Sequence, residues 1–391
     1  MTRFKSWTLT DVRADVWLDS LAVGNDRLHL PTPHDWSVQK RTLRGGLRDG
    51  VDLIEVHNGS LSFSVLPTRG MGLWRGEYHG LALGWRSPVN GPVHPKHVNQ
   101  ADFNGLGFLS GFDELLCRCG LSSNGPPGDY QGSRLTLHGH IANLPAQFVE
   151  LRVGLDPPFE ISVTGEVEEA ALFLANLRLT TTYTTVPGSH CVVIHDVVEN
   201  RGARPAELQL LYHCNLGPPF LEAGSRVLAP IREMAPLTPR AAESIDTHET
   251  YLGPTVGYTE QVYGYDLLAD GRGQTVVLLA SAAGDRAVAL RFARQQLPCF
   301  TVWKNTAALE DGYVTGLEPA TNYPNFKAFE RQQGRVVILP PGGKWEACWR
   351  LEVADHAAAV NALTAEVARI QAQAKATIHR TPQPRFSASV Q

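Results

Sequence analysis

The stretch LIEVHNGSLSFSVLPTRG, residues 53–70, decides the fold class of this chain. Apolar and polar residues alternate on both sides of Asn58 and Gly59, and Asn-Gly between two alternating runs is the strongest short signal of a β-hairpin. Alternation places one face of each strand against a core and the other toward solvent. The stretch therefore predicts two antiparallel strands joined by a tight turn.

Apolar runs of similar length recur along the chain, and residues that favour turns bound most of them. Many short strands with few helical stretches between them predict an all-β protein, built as an antiparallel sandwich or barrel. No internal repeat or low-complexity linker divides the chain, so we expect one large β domain over residues 1–380. The runs that carry this prediction are FEISVTGEVEEA (159–170), CVVIHDVVENRG (191–202), TVVLLASAAGDRAVALRF (275–292) and RVVILPPGGKWEACWRLEVA (335–354).

Three segments depart from the strand pattern. Near the C-terminus, four apolar residues recur at spacings of three and four, which predicts a helix packed on a sheet, with Asp355 placed to cap its start. The glycines of segment 44–53 favour a loop as much as a short helix. Residues 381–391 lack a core-forming pattern, so we expect a mobile tail. The four helix positions are Val360, Leu363, Val367 and Ile370.

The composition excludes several classes of function. The 391 residues are 43% hydrophobic and 19% charged, with a net charge of −4, which is typical of a globular protein with a large core. No run of lysine and arginine is long enough to follow a phosphate backbone, so we expect no nucleic-acid partner. The N-terminus lacks the apolar segment of a signal peptide, and no window of about 18 apolar residues could span a membrane. We therefore expect a cytoplasmic protein without a membrane partner.

Sequence motifs of common cofactor and metal sites are absent. There is no G-x-G-x-x-G after a strand, no Walker A, no H-E-x-x-H and no G-x-S-x-G. Only two of the six cysteines, Cys117 and Cys119, are close in sequence, and no second pair completes a structural zinc site. We expect the cysteines to be buried, reduced thiols.

What remains is polar residues within apolar strands. LTLHGH predicts His138 and His140 on one face of a strand, beside a glycine that would let a ligand approach the backbone. QLLYHCNLG likewise predicts His213 and Asn215 on one face. Each histidine also has a structural interpretation, because a strand histidine is more often a hydrogen-bonded packing residue. The pair in LTLHGH could also bind a metal, although no acidic third ligand is evident.

Glu318 lies within TGLEPATNYPN (315–325), a stretch that otherwise has the pattern of a buried strand end. A carboxylate is costly to desolvate unless a partner pairs with it or a reaction uses it. Glu318 could form a structural ion pair with Arg69. The alternative is that its carboxylate has a chemical task.

Four short segments occur in a characteristic order: LPTRGMGLW (66–74), LHGH (137–140), YHCNLGPPFL (212–221) and GLEPATNYP (316–324). They resemble the aldose 1-epimerase (galactose mutarotase) superfamily, and more closely its branch of aldose 1-epimerase-like proteins of unassigned substrate. The resemblance runs from about residue 30 to about residue 355 and implies a large antiparallel, galactose mutarotase-like β-sandwich. The superfamily's N-terminal Gly-Arg-Tyr-x-Asn-Arg segment has no clean match here, which leaves the sugar open.

The resemblance implies mutarotation. A base takes the proton of the anomeric hydroxyl while an acid protonates the ring oxygen, so the sugar opens and recloses on its other face. The resemblance implies Glu318 as the base, His213 as the acid, His138 as a hydrogen-bonding partner of the sugar, and Arg69 as the residue that orients it. An imidazole with a pKa of about 6.5 and a half-buried glutamate with a raised pKa suit these roles. The pair needs no metal or cofactor.

Further residues are expected to contact the sugar. His140 and Asn215 share strand faces with the two central histidines. Trp303 is expected to line the pocket, because WKN shortly precedes the TGLEP segment. Asp266 and Asp113 are candidates for the family's substrate-binding aspartate. The other aromatic residues near the motifs are Trp74, Trp85, Tyr212 and Tyr323.

Three functions fit these observations. The first is an aldose 1-epimerase that acts on a free or modified sugar. The second is a carbohydrate-binding or sugar-sensing protein that kept the pocket and lost turnover. The third is an isomerase or lyase for a keto or deoxy sugar, with a metal at His138 and His140. The partner in each case is a small sugar, and an exposed strand edge would allow a homodimer.

Overall fold

The computed structural model describes residues 3–390, and most of them belong to two large β-sheets. In chain order the strands are β1 (Phe4–Asp11), β2 (Val16–Trp17), β3 (Ser20–Gly24), β4 (Ser37–Thr42), β5 (Asp52–His57), β6 (Leu61–Leu66), β7 (Gly72–Tyr78), β8 (Leu81–Leu83), β9 (Leu116–Cys119), β10 (Gly128–Tyr130), β11 (Ser133–Leu135), β12 (Ala146–Gly154), β13 (Ile161–Ala170), β14 (Asn176–Thr185), β15 (Cys191–Asn200), β16 (Ala206–Leu208), β17 (Leu211–Leu216), β18 (Arg226–Leu228), β19 (Ile231–Pro236), β20 (Gln261–Leu267), β21 (Gln274–Ala280), β22 (Ala287–Ala293), β23 (Cys299–Asn305), β24 (Val314–Ala320), β25 (Val337–Leu339), β26 (Lys344–Ala354) and β27 (Thr377–Ile378).

Helices are few and short. The α-helices are α1 (Asn25–Leu28), α2 (Asp102–Gly105), α3 (Pro239–Ala242), α4 (Lys327–Gln332) and α5 (Ala357–Gln371). Single turns of 3-10 helix are Gly46–Arg48, Pro95–His97, Gly107–Gly111, Ile141–Asn143, Ile245–Thr247, Leu309–Asp311 and Ala388–Val390. Within residues 3–390, no helix combines the length and the apolar character needed to cross a membrane.

The two large sheets are open and mainly antiparallel. One has the strand order β18-β21-β22-β26-β15-β14-β13-β12-β1-β2, and the other has the order β27-β19-β20-β23-β24-β17-β9-β7-β6-β5-β4-β3, with β8 paired to β7. The edge pair β19-β27 is parallel, whereas the long central strands pair antiparallel. One core of buried apolar side chains draws on strands of both sheets. The predicted all-β sandwich with a C-terminal helix is therefore confirmed, and the open sheets exclude the barrel.

The hairpin predicted at HNGS joins β5 to β6, which pair antiparallel from Ile54 opposite Val65 to His57 opposite Ser62. The carboxamide oxygen of Asn58 accepts hydrogen bonds from the backbone N–H groups two and three residues later, at 2.9 and 2.8 Å. This is the local bonding that makes asparagine a turn residue. The turn is fixed by local chemistry, which explains why the sequence predicts it.

A buried ion pair crosses the core. Arg118 on β9 and Asp196 on β15 belong to different sheets, and their side chains meet with Nε and Oδ2 2.5 Å apart and no exposed area on either side chain. The other guanidinium N–H groups donate to Asp196 Oδ1, Thr181 Oγ1, Tyr183 Oη and the Met71 carbonyl. Buried charges are tolerated when they are paired and fully hydrogen-bonded. The pair therefore ties β9 to the opposite sheet.

The C-terminal helix is α5, and its predicted apolar stripe packs on β21, β22 and β26 through Val360, Val367 and Ile370. The predicted cap is wrong. His356 is the N-cap, and its ring accepts a hydrogen bond from the Ala359 N–H. The carboxylate of Asp355 instead lies 2.8 Å from Nδ1 of His79, in the turn between β7 and β8. A residue distant in sequence therefore engages the side chain that was expected to cap the helix.

The structure also shows the conformation of the two other segments that depart from the strand pattern, 44–53 and 381–390. The first forms one turn of 3-10 helix, Gly46–Arg48, before β5 begins. In the second, the sequence predicts a mobile tail, whereas the structure packs Phe386 with no exposed area against Tyr323, with ring centroids 5.2 Å apart. The Asn325 side chain also donates to the Phe386 carbonyl at 2.9 Å. One buried aromatic residue and an ion pair between Arg385 and Asp266 hold this segment, and these isolated contacts give no periodic pattern.

Candidate active site

Strand alternation places three polar side chains on the face of the larger sheet that lies away from the core. On β17, Tyr212 and Cys214 enter the core, so His213 and Asn215 point to the other face. On the neighbouring strand β24, Leu317 enters the core and Glu318 points outward. The same-face arrangement of His213 and Asn215 is what the period of two predicts.

Asn215 fixes the orientation of the His213 ring. The Asn215 amide nitrogen donates to the carbonyl oxygens of Glu114 and His213, at 2.9 and 3.2 Å, so its oxygen faces the imidazole. That oxygen lies 2.6 Å from His213 Nδ1 and can only accept, so Nδ1 carries the hydrogen. The other ring nitrogen, Nε2, is therefore the one available for proton transfer.

His213 Nε2 lies 3.2 Å from Glu318 Oε1, and the two side chains are only 6% and 3% exposed. Burial raises the pKa of Glu318 well above its usual value and lowers the pKa of His213 to about 3. Both shifts favour the neutral forms. One proton is shared by the pair. It is on the Glu318 carboxyl in the neutral form and on His213 Nε2 in the ionic form, so each form has one acid and one base.

His138 approaches the same imidazole from a turn, although the sequence predicts a strand. Its φ of 60° is left-handed, and its ring lies edge-on to His213 with centroids 5.5 Å apart. Nδ1 is 3.0 Å from the Asn124 carbonyl oxygen and donates to it, which leaves Nε2 as an acceptor. Burial lowers the pKa of His138 to about 4, so the ring is neutral at neutral pH.

Aromatic rings complete the wall around the imidazole. Phe112 and Trp303 lie edge-on to His213, with centroids 5.0 and 5.4 Å away, and Phe108 lies edge-on to His138 at 5.0 Å. Trp303 is half-buried, and its indole N–H donates to Glu260 at 2.6 Å. Sequence reasoning anticipated Trp303 here but missed the two phenylalanines, which lie in and directly after the short 3-10 turn Gly107–Gly111, where no periodic signal exists.

Three residues expected near the sugar have other partners. Arg69 is 1% exposed, and its guanidinium donates to Glu114, the carbonyl oxygens of Val93 and Gly111, and the Asn143 side chain. It therefore holds the surrounding loops together, and it does not pair with Glu318. His140 is exposed and bonds to Gln100, because the turn at His138 breaks the alternation that would align the two histidines.

Asp266 also lies outside the cluster. It is 3% exposed and forms ion pairs with Arg294 at 2.5 Å and Arg385 at 2.7 Å. Both arginines come from distant parts of the chain, so the sequence around Asp266 gives no sign of them. The other candidate aspartate, Asp113, follows Phe112 directly and lines a neighbouring cavity.

A metal at His138 and His140 is an alternative that the sequence leaves open. Within the described part of the chain, no group of three or more His, Cys, Asp or Glu side chains is placed to hold a metal ion. All six cysteines are free thiols, with Cys117, Cys119, Cys214 and Cys299 buried and Cys348 exposed.

The fold defines the class of this protein, which is a galactose mutarotase-like β-sandwich protein. More particularly, the chain belongs to the family described as "Domain of unknown function (DUF4432)", whose model matches residues 48–353. No curated protein sequence matches it.

Solved structures agree with this class. A "putative aldose 1-epimerase" from Klebsiella pneumoniae subsp. pneumoniae MGH 78578 superposes with a TM-score of 0.95 and 37% identity, over 97% of this chain and 99% of that chain. A galactose mutarotase-like protein from Clostridium acetobutylicum has a TM-score of 0.57 and 14% identity, over 81% and 98%. Galactose 1-epimerase from Lactobacillus acidophilus NCFM has a TM-score of 0.53 and 12% identity, over 82% and 99%. The last two share the fold.

Proposed function

We propose that this protein is a cofactor-independent aldose 1-epimerase that interconverts the anomers of a free or modified sugar. The observation that carries the proposal is the 3.2 Å approach of His213 Nε2 to Glu318 Oε1, with the imidazole tautomer fixed by Asn215. Ring opening of a hemiacetal needs one proton acceptor and one proton donor near the same carbon. A buried pair with one transferable proton supplies both.

In the proposed reaction, the carboxyl proton of Glu318 first passes to His213 Nε2 across the 3.2 Å between them, which gives a carboxylate and an imidazolium. Glu318 then takes the proton of the anomeric hydroxyl, and His213 gives its Nε2 proton to the ring oxygen. The C1–O5 bond breaks, the aldehyde rotates, and the two transfers reverse as the ring closes on its other face. His138 Nε2 accepts a hydrogen bond from a neighbouring sugar hydroxyl, because its Nδ1 is engaged by Asn124. The ring of Trp303 offers an apolar surface to sugar C–H groups.

The experiment is saturation-transfer proton NMR on a panel of aldoses, deoxy sugars and uronic acids, with and without the wild-type protein. Acceleration of exchange between the α and β H1 signals of any member supports the proposal. Interconversion rates equal to the buffer rate across the whole panel would contradict it. Binding without acceleration would favour the non-catalytic sugar-binding protein instead.

The pH profile of kcat/KM is expected to lack an acid limb near the ordinary imidazole pKa of about 6.5. Burial lowers the pKa values of His213 and His138 to about 3 and 4, so the catalytic pair gains a second proton only in more acidic solution. The raised pKa of Glu318 means that its carboxyl holds its proton to higher pH than an exposed glutamate does. Activity should thus show no fall as the pH is lowered from 7.5 to 5.5, after subtraction of buffer catalysis, whereas an acid-limb midpoint between pH 6 and 7 would contradict this assignment.

Gly316→Ala is expected to lower kcat/KM at least about tenfold while the protein stays folded, because small displacements of reacting groups are costly. A Cβ at position 316 would lie 2.5 Å from Glu318 Oε1 and 2.9 Å from His213 Cε1, so the pair must move apart. Gly271→Ala is the matched control, since no atom lies within 4 Å of its added Cβ. Equal kinetics for the two variants would show that the pair tolerates the displacement.

A further inference from the structure

A cavity of about 530 Å³ lies beside the candidate active site, along β7 and β8 and the loop that follows them. Neither His213 nor Glu318 lines it. The lining residues that matter for binding are Trp74, Arg75, Trp85, Arg86, Asn90 and Asp113. The volume is within the range of ordinary small-molecule pockets.

Asp113 is the buried polar group of this cavity. The residue is only 7% exposed, and its Oδ2 accepts a hydrogen bond from Trp74 Nε1 at 2.8 Å. Oδ1 has no hydrogen-bond partner among residues 3–390. Burial, with a contribution from neighbouring Glu114, raises the pKa of Asp113 to about 7. An unpartnered carboxylate oxygen in such a place destabilises the fold unless something binds to it.

The aromatic walls of the cavity are held in fixed positions. Trp74 donates its indole N–H to Asp113, and Trp85 donates its own to the Glu114 carbonyl at 3.1 Å. Both indoles are half-buried. The Arg75 guanidinium lies 3.4 Å from the centroid of the Trp74 ring, and Arg86 is exposed at the rim. Rigid apolar rings, an acceptor and guanidinium donors are therefore presented together.

We propose that this cavity is a second binding site, for an uncharged, hydroxyl-rich sugar unit whose hydroxyl forms a hydrogen bond with the Asp113 carboxyl group. The lining combines two guanidinium groups, those of Arg75 and Arg86, with two carboxyl groups, those of Asp113 and Glu77, so neither an anion nor a cation meets a lining of only the opposite charge. A hydroxyl group can donate one hydrogen bond and accept others, so it can bond both to the Asp113 carboxyl group and to the guanidinium donors around it. Sugar C–H groups suit the exposed part of the Trp85 ring.

Phe112 separates this cavity from the candidate active site. Its ring centroid lies 5.4 Å from the ring of Trp85, which lines the cavity, and 5.0 Å from the ring of His213, which belongs to the candidate active site. The Glu114 carbonyl further links the two sites, since it accepts from both Trp85 and Asn215. Binding in the cavity requires no proton transfer, so this proposal stands independently of turnover.

The test uses methyl glycosides of galactose, glucose, mannose and xylose, whose blocked anomeric oxygen prevents ring opening. Indole N–H signals are followed by two-dimensional NMR on protein labelled with ¹⁵N at the tryptophan side chains, and Trp85→Phe identifies the reporter signal. We expect at least one glycoside to shift the Trp85 signal saturably. Asp113→Asn should weaken that binding about tenfold or more, in line with a lost hydrogen bond to a charged group.

Further variants separate the possible causes. Arg86→Ala removes an exposed donor of the cavity rim without disturbing a buried group, and it should also weaken binding. Arg272→Ala, an exposed arginine on another part of the surface, should leave the affinity unchanged. Glu318→Gln should preserve the Trp85 shift even though it removes the proposed catalytic base, so failure of the two proposals is distinguishable. The proposal is overturned if no glycoside shifts Trp85, or if Asp113→Asn and Arg86→Ala bind as the wild type does.

Discussion

Glu318→Gln is expected to lower kcat for anomer interconversion by about 10²–10⁴-fold, the range that a positioned acid or base contributes. The amide keeps the shape of the carboxyl and can still lie beside His213 Nε2, but it cannot take the anomeric proton. The change in KM should be small, because the hydroxyl-binding groups remain. The measurement is saturation-transfer NMR on the sugar that the wild-type protein accelerates most.

Two controls bear on this result. Glu310→Gln removes an exposed glutamate eight residues earlier and should leave kcat unchanged. The thermal midpoint of Glu318→Gln should equal or exceed that of the wild type, because the substitution replaces a buried ionisable group with a neutral one. A Glu318→Gln variant that retains wild-type kcat would exclude this carboxylate as the base.

Asp196→Ala is expected to destabilise the protein by about 3–5 kcal/mol, since breaking a buried ion pair leaves an uncompensated charge in the core. Arg118 has all its N–H groups satisfied in the wild type, and two of these bonds go to Asp196. The pair connects β9 and β15, so its loss weakens the contact between the sheets. Urea unfolding followed by tryptophan fluorescence measures the change.

The electrostatic explanation predicts two further results. Asp246→Ala removes an exposed ion pair with Arg380, in which both side chains are 73% exposed, and should leave the unfolding midpoint near that of the wild type. The double variant Arg118→Met with Asp196→Leu should recover much of the lost stability, because it replaces both buried charges with apolar side chains. If Asp196→Ala is as stable as Asp246→Ala, the ion pair contributes nothing to the fold.

This ion pair between Arg118 and Asp196 also helps to position the candidate site. Arg118 points into the core from β9, whereas its neighbours Cys117 and Cys119 point to the opposite face, where they pack with Phe108 and Phe112. β9 pairs with β17, and Cys117 lies opposite His213 in that pairing. The core pair thereby helps to fix the strand beside the His213 imidazole.

The local sequence predicted those features that depend on neighbours along the chain. The Asn58 turn forms its bonds within three residues, and the stripe of α5 repeats every three or four, so both can be recognised without tertiary information. The period of two placed His213 and Asn215 on one face. The resemblance to mutarotases drew attention to Glu318, and pairing between β17 and β24 brings it to His213.

Other features depend on which distant residues meet. No local pattern indicates that Arg69 donates to Glu114 and two loop carbonyls, or that Asp266 pairs with Arg294 and Arg385. The sequence also could not place Phe112 against the His213 ring. Hydrogen bonds and ring contacts form between atoms that the fold brings together, and their partners here lie tens to hundreds of residues apart.

The amino-acid sequence by itself thus determined the all-β class, the hairpin and the terminal helix, because alternation and turn chemistry are local properties. The choice of His213 and Glu318 as the proton-transfer pair came from the resemblance to mutarotases and stays a prediction. Only the tertiary structure decided that the two groups approach to 3.2 Å, which histidine nitrogen is free, and that Asp113 opens onto a separate cavity. Those facts depend on strand pairing and loop packing, which fix distances and burial across the whole chain.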